Sequence, residues 1–531
     1  MTTYCTSFIG ISCAHKNSLF VTNFFKMFAN KNMCSENMLQ LKLSEHQFIF
    51  FKNLNFEMEN FLSNRIKEKI STISFYQLQS KVSYFDILVG EFLKIQWGKK
   101  EKTLKIFSDI IGRDTIFFIK EMDGIVYSDR LDWLLLYCKQ NNKSLHINDT
   151  ALLDAIFFQV ILAPQTIFKE CFRLNANQIL QIVEYNDTIH VAVNSSPYIK
   201  KSTFLKEKDF SFLQQNEPAL SNISINTFST FYSFVSKFNQ LFNLSKNKLD
   251  YYVLTQSHMN LSSSQVPNLT CIETSQCDLF NYLPVLVTRM MEPCIHSSEY
   301  YHALLLEKIS SEKLVIISDI GFLHYLNAIV KVTNVNQKFF DHTKYIRTVL
   351  KSIKNFYRFK TCPEDYLIHR WEETIEFIRL LVGEYEIEFI SDTSLFELLI
   401  CLPERTRKFR SLAKTLGKKV ILPCDDEEFI FKTLLSLTGA KNKNILSSQE
   451  AITLINSIQP TYIAKTDDIS FFNLFDAVQR TYFARKSTIN EIFNLSRLQM
   501  SKFAQISKKG HQQRVTDFLI TLLTTEYLSF I

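Results

Sequence analysis

The chain is poor in the residues that interrupt regular structure: its 531 residues include only 10 glycines and 10 prolines. That scarcity argues against a largely disordered chain and for packed helices and strands. No stretch offers about 18 uninterrupted apolar residues, so no membrane-spanning helix and no membrane partner are expected. The opening residues, MTTYCTSFIGISCAHKNS, lack a basic region followed by a sustained apolar run, so no signal peptide is expected. None of the 11 cysteines falls in a CxxC pair, and Cys271 and Cys277 are six apart. Zinc-ligand spacing is therefore missing, and the cysteines read as reduced, buried thiols of a cytoplasmic protein. Long basic runs are missing too. The formal net charge of +7 is spread along the chain, and the short cluster Lys508, Lys509, His511 and Arg514 reads as solvated surface, so nucleic-acid binding is not expected.

What the chain does have is apolar bulk: 46% hydrophobic residues, 48 of its residues phenylalanine, against 21% charged. With this length, two or more domains are expected. The first 200 residues are rich in strand patterns. SFIGIS (7–12), HQFIFFKNL (46–54), YFDILVGEFLKIQWG (84–98), TLKIFSD (103–109), 115–129 and QILQIVEY (178–185) alternate or cluster apolar residues between turn signals. Asp123-Gly124 predicts a hairpin turn. A helix is predicted over 149–160, capped by Asn148 or Asp149. The polar stretch 201–225 is predicted to be a linker.

Beyond it, short apolar strands alternate with helices. LDYYVLT (249–255), NLTCIE (268–273) and KLVIISD (313–319) read as strands, and 279–291 and 298–309 as helices. Such alternation predicts a parallel sheet covered by helices. After about residue 340 the pattern is mainly helical.

Several segments, in order, resemble the asparagine synthetase family. LVGEFLKIQWGKKEKTLKIFSDIIGRDTIFF (88–118) is similar to a strand pair carrying Gly-x-Phe and Asp-x-x-Gly, with Gly90, Phe92, Asp109, Gly112, Phe117 and Phe118 in place. The passage 152–180 carries the Ala-Pro-x-Thr-hydrophobic-Phe turn as Ala163, Pro164, Thr166, Ile167 and Phe168, followed by Arg173 and Leu174. In the second half, 282–321 resembles the family through Glu292-Pro293, Ser298 and the strand ending at Ser318. Gly417, Val420, Pro423 and Asp426 resemble a later motif. The resemblance implies an N-terminal glutamine amidotransferase-like domain over 1–200, an Ntn-hydrolase-like αββα sandwich. It implies a C-terminal parallel-sheet ATP-pyrophosphatase domain over 226–531.

The family's working motifs are mostly missing. Its glutaminase uses a cysteine directly after the initiator Met, with the free amine as base. Thr2 stands there, and Cys5 could serve only after cleavage between Tyr4 and Cys5. The synthetase domain of the family carries Ser-Gly-Gly-x-Asp-Ser after its first strand, a pyrophosphate cradle whose aspartate helps hold magnesium. TQSHMN (255–260) resembles that position: Thr255 keeps a hydroxyl and Ser257 is small, but both glycines are gone and Met259 replaces the aspartate. In the second loop Ser318 and Gly321 remain, while Leu323 and His324 replace its acidic pair; Asp319 is displaced from the expected position, though an acidic residue one turn away could compensate. Lys465 is similar to a late phosphate-contacting lysine, without the glycine that follows it in the family.

Thr255, Ser257, Ser318, Gly321 and Lys465 are thus the candidate nucleotide contacts, altered or vestigial. Thr255, Ser257 and Ser318 also fit plain helix capping. No catalytic or metal-binding residue is identified. Relatives without the glutaminase cysteine act in peptide macrocycle and β-lactam formation, so two readings lead, with asparagine synthesis itself a disfavoured third because both sites are damaged. One is a pseudoenzyme or partner-dependent component of a peptide-modifying system. The other is an amide-forming ligase using ATP and Mg2+ to make an acyl-adenylate. A peptide or protein partner and a homodimer are compatible with either.

Overall fold

The computed structural model describes residues 7–13, 38–44, 47–52, 72–78, 92–98, 100–109, 111–195, 220–223, 250–255, 269–273, 276–309, 315–318, 321–322, 325–326, 328–329, 364–383, 390–416, 418–422, 424, 429–431, 433–434, 449, 453 and 512–528. The chain is of mixed α/β class and forms two compact units, one of Met1–Asn148 with Ala163–Thr203, the other of Asp149–Leu162 with Phe204–Ile531.

The first unit contains two antiparallel sheets. Its strands are β1 (Ser7–Cys13), β2 (Met38–Lys42), β3 (Gln47–Lys52), β4 (Thr72–Leu78), β5 (Phe92–Gly98), β6 (Thr103–Phe107), β7 (Phe117–Glu121), β8 (Gly124–Ser128), β9 (Phe172–Arg173), β10 (Gln178–Tyr185) and β11 (Thr188–Ser195). One sheet runs β2-β3-β1-β8-β7-β9 and the other β11-β10-β6-β5-β4. Alternate residues of each strand point to opposite faces. From the first sheet Ile49, Phe118, Ile125 and Tyr127 therefore meet Ile95, Trp97, Leu104, Ile106, Leu180 and Ile182 of the second in one apolar core. The opposite face of the first sheet buries Ile9, Ile11 and Cys13. On it packs helix α1 (Leu131–Gln140), which touches β7 and β8.

Two loops of this unit show why particular residues are needed. Gly112 has φ +76°, and an added Cβ would lie 3.3 Å from Ala176 Cβ, so glycine suits both the conformation and the close approach. Beside it Arg113 Nε donates to Asp109 Oδ2 at 2.6 Å, both side chains buried. Burial pushes the Asp109 carboxyl up to about 6, with Arg113 pulling it back down. In the turn after Pro164, the Thr166 hydroxyl lies 3.1 Å from the Phe168 carbonyl and 2.9 Å from that of Cys171, and accepts the Phe168 N–H. The Asp-x-x-Gly and Pro-x-Thr-x-Phe patterns are thus loop-closing devices.

The second unit begins with helix α2 (Asp149–Phe157), which lies in sequence between the two segments of the first. Asp154 explains its allegiance. Its carboxylate accepts from Arg370 Nη2 at 3.2 Å, Tyr366 OH at 3.2 Å and the Leu162 N–H at 3.3 Å. Arg370 also donates to the Leu162 carbonyl at 3.1 Å. Phe158 stacks on Trp371 and tilts against Phe396, ring centroids 6.1 Å apart in each case.

The rest of the unit is built on strands β12 (Leu220–Ile223), β13 (Asp250–Thr255), β14 (Leu269–Glu273), β15 (Val315–Ser318) and β16 (Lys419–Ile421). All neighbours pair in parallel, in the order β14-β13-β12-β15-β16. The helices are α3 (Gln276–Met290), α4 (Ser297–Lys308), α5 (Glu364–Val382), α6 (Asp392–Phe396), α7 (Leu402–Thr415) and α8 (Gln512–Leu528), with a π-turn at Glu397–Cys401 joining α6 to α7. The central strand β12 falls inside the stretch expected to be a linker. Four residues, LSNI, are too few to display a period, and parallel pairing on both sides is what holds them extended. Among the described residues no helix is long and apolar enough to cross a membrane.

Candidate functional site

In an open parallel sheet, ligands bind beyond the carboxyl ends of the strands where the strand order reverses. Here the chain lays β12, β13 and β14 in one direction, then returns to place β15 and β16 on the other side of β12. The reversal therefore falls between β12 and β15. Their last residues, Ile223 and Ser318, are direct partners in the ladder. Ser318 thus ends its strand at the reversal point.

Thr255 does not share that position. It ends β13, on the far side of β12, three residues beyond Tyr252, the partner of Ile223. Two strand steps and three residues of rise separate Thr255 from Ser318 by roughly 14 Å. The stretch that follows Thr255 follows the second strand of the sheet in chain order. The first strand of the sheet in chain order is β12, which ends at Ile223. Ser257 and Lys465 lie outside the described residues, as do Thr2, Cys5, Leu323 and His324.

Gly321, three residues past the end of β15, has φ +88°. A Cβ there would lie 2.2 Å from Leu402 Cδ1 and 3.3 Å from Thr406 Cγ2, at the start of α7. The Tyr325 N–H donates to the Gly321 carbonyl at 3.0 Å. Phe322 stacks on Tyr325 at 5.8 Å, and Tyr325 tilts against Phe429 at 4.8 Å. All of these residues are buried. Gly321 is therefore explained by the helix packed on it and by a left-handed backbone.

Buried charges gather around the loop between α3 and α4. Such a loop must find partners for its polar groups. Glu292 accepts from Arg407 Nη2 at 2.7 Å, and the same guanidinium reaches both oxygens of Glu404, at 3.0 and 2.7 Å. Lys408 Nζ donates to the Pro293 carbonyl at 3.1 Å. The Cys294 N–H donates to the Thr524 hydroxyl at 3.1 Å, and the Ile295 N–H to Glu299 at 3.0 Å. Burial opposes the charge on Arg407, but Glu292 and Glu404 outweigh it and hold the guanidinium charged. Lys418 donates to the carbonyls of Leu306 and Ile309, closing the last turn of α4. Its burial lowers the ammonium pKa.

Chemically, these groups brace the packing of α3, α4 and α7. Among the described residues no group of three or more His, Cys, Asp or Glu could hold a metal ion. The strand end at Ile223 and the Glu292–Arg407 pair escaped sequence reasoning. The first hides in a polar stretch. The second joins residues 115 apart, and only the Glu292-Pro293 motif hinted that this loop matters. The architecture is that of a mixed α/β protein with an antiparallel sandwich and a five-stranded parallel sheet. No protein-family model and no curated protein matches the chain.

Proposed function

We propose that this chain is an asparagine synthetase-like protein whose glutaminase and ATP sites have lost their chemistry. It acts as a pseudoenzyme or as the partner-dependent component of a peptide-modifying system. In this reading the first unit is a degenerate Ntn-hydrolase-like domain and the second a degenerate ATP-pyrophosphatase domain. The observation that carries the proposal is the strand order of the parallel sheet, taken with the residues that follow its two central strands. After β12 the sequence reads SINTFS (224–229), and after β15 it reads DIGFLH (319–324). The first has neither a glycine pair nor a carboxylate. The second keeps one glycine, which α7 already requires, and has Leu323 and His324 at its acidic positions. The TQSHMN stretch after β13 is equally without glycine or carboxylate. Whichever segment is taken as the first loop, it lacks the aspartate that would help hold magnesium, and the second loop keeps only Asp319, displaced from the acidic pair.

A second reading is favoured by the position of Ser318 alone, at the strand end beside the reversal. It is an ATP-dependent, AMP-forming amide ligase. A substrate carboxylate oxygen would attack the α-phosphorus of ATP and expel pyrophosphate. An amine would then attack the acyl carbon and release AMP. Asparagine synthesis itself is the weakest reading, since it needs both damaged sites. Pyrophosphate release from magnesium-ATP by the full chain, with ammonium as amine and with aspartate and a panel of peptides in turn as carboxylate, separates these readings. The proposal predicts no release above the protein-free control. Release that falls in a Ser318→Ala variant would replace it with the ligase.

A further inference from the structure

The core between the two sheets of the first unit contains a polar node. Ser12 on β1 faces Gln47 on β3 and Ile125 on β8 as direct ladder partners. Two residues back on the same face, Gly10 faces Tyr127. An added Cβ at Gly10 would lie 2.2 Å from the Tyr127 ring and 2.3 Å from its hydroxyl. The phenol therefore crosses directly over β1, and glycine leaves it room. Ser12, Gln47 and Tyr127 are each fully buried. Around them stand Ile49, Ile125, Ile95 and other apolar residues of the same core.

Four polar atoms meet there without a hydrogen-bond partner: Ser12 Oγ, both terminal atoms of the Gln47 amide, and Tyr127 OH. The Ser12 hydroxyl lies close enough to the phenol to pull its pKa down, while burial dominates and drives it up. The two oxygens are close, yet neither has a hydrogen-bond partner. A buried, unsatisfied polar group opposes folding, and this node concentrates four such atoms from three strands. All three side chains are neutral and offer both donors and acceptors. That chemistry suits a small neutral molecule able to give and take protons in hydrogen bonds, and a buried water needs two to four such partners.

We propose that Ser12, Gln47 and Tyr127 form a binding site for one internal water that joins β1, β3 and β8 inside the sandwich. The water accepts from Tyr127 OH or the Gln47 amide N–H and donates to Ser12 Oγ or the Gln47 carbonyl. Without these bridges the polar groups would oppose the packing of the two sheets.

A crystal structure of the full chain, at a resolution that shows ordered water, tests this directly. The expected result is one density peak within hydrogen-bond reach of all three side chains. In the apolar replacement Ser12→Ala/Gln47→Met/Tyr127→Phe that peak is lost. In solution, Ser12→Ala and Tyr127→Phe each raise the unfolding equilibrium constant roughly tenfold by leaving the node undersatisfied. The double variant costs less than the product of the two, because both side chains serve one water. Direct bonding of the three side chains to one another with no peak between them would overturn the proposal. So would strictly multiplicative effects of the two substitutions.

Discussion

Removing Glu292 tests the packing of the second unit most sharply. Its carboxylate and that of Glu404 flank the Arg407 guanidinium at 2.7 Å, and all three side chains are at least 93% buried. Breaking a buried ion pair by deleting one partner costs about 3–5 kcal/mol. In Glu292→Ala the guanidinium keeps Glu404, so the expected loss is near the lower end, about 3 kcal/mol. Glu292→Gln retains the volume and one acceptor and is expected to cost about half as much. Arg407→Met takes the guanidinium from between two buried carboxylates and leaves both charges without it, so it is expected to cost at least as much as Glu292→Ala. The measurement is the urea midpoint at constant m-value. A loss under about 0.5 kcal/mol in both Glu292→Ala and Arg407→Met, the scale of an ordinary surface change, would refute the reasoning.

Two further outcomes are expected. Gly321→Ala places a Cβ against Leu402 in a left-handed backbone and should cost at least about 1–3 kcal/mol; Leu402→Ala should reduce that penalty measured relative to its own background, and full tolerance of Gly321→Ala would contradict the packing argument. Burial lifts the Asp154 carboxyl to about 6 although Arg370 opposes it, so its folded pKa lies above its unfolded one. It therefore contributes stability that grows as pH falls from about 6 to 4, by up to about 3 kcal/mol. In the difference between wild type and Asp154→Asn, the slope of stability against pH should appear in that window, and identical slopes would contradict the burial of Asp154.

Legibility in the sequence followed burial on one face. The strands β3, β6, β8 and β10 carry apolar residues that fill the sandwich core, β1 buries Ile9 and Ile11 on the opposite face of its sheet, and their patterns announced them. β11 went unread because its side chains are mostly exposed and only Ile189 and Val191 reach toward the core. β12 went unread because its extended state comes from parallel neighbours on both sides, which no local pattern records. That omission left β13 to be read as the first strand of the sheet, which put Thr255 at the end of the first strand rather than the second. Ser318 was legible as a strand end, but its nearness to Ile223 required the strand order. The Asp154–Arg370 and Glu292–Arg407 pairs join residues 216 and 115 apart, and nothing in either segment names its partner. The missing loop glycines and carboxylates could be read directly, since a residue type that is not there cannot be supplied by folding.

The central claim is that the reversal point between β12 and β15 no longer supports ATP chemistry. Its most direct test is a calorimetric titration of magnesium-ATP into the full chain, with Ser318→Ala beside it. The account predicts no saturable heat up to millimolar ATP in either protein. Saturable binding that weakens in Ser318→Ala would contradict it and establish a working nucleotide site at the end of β15.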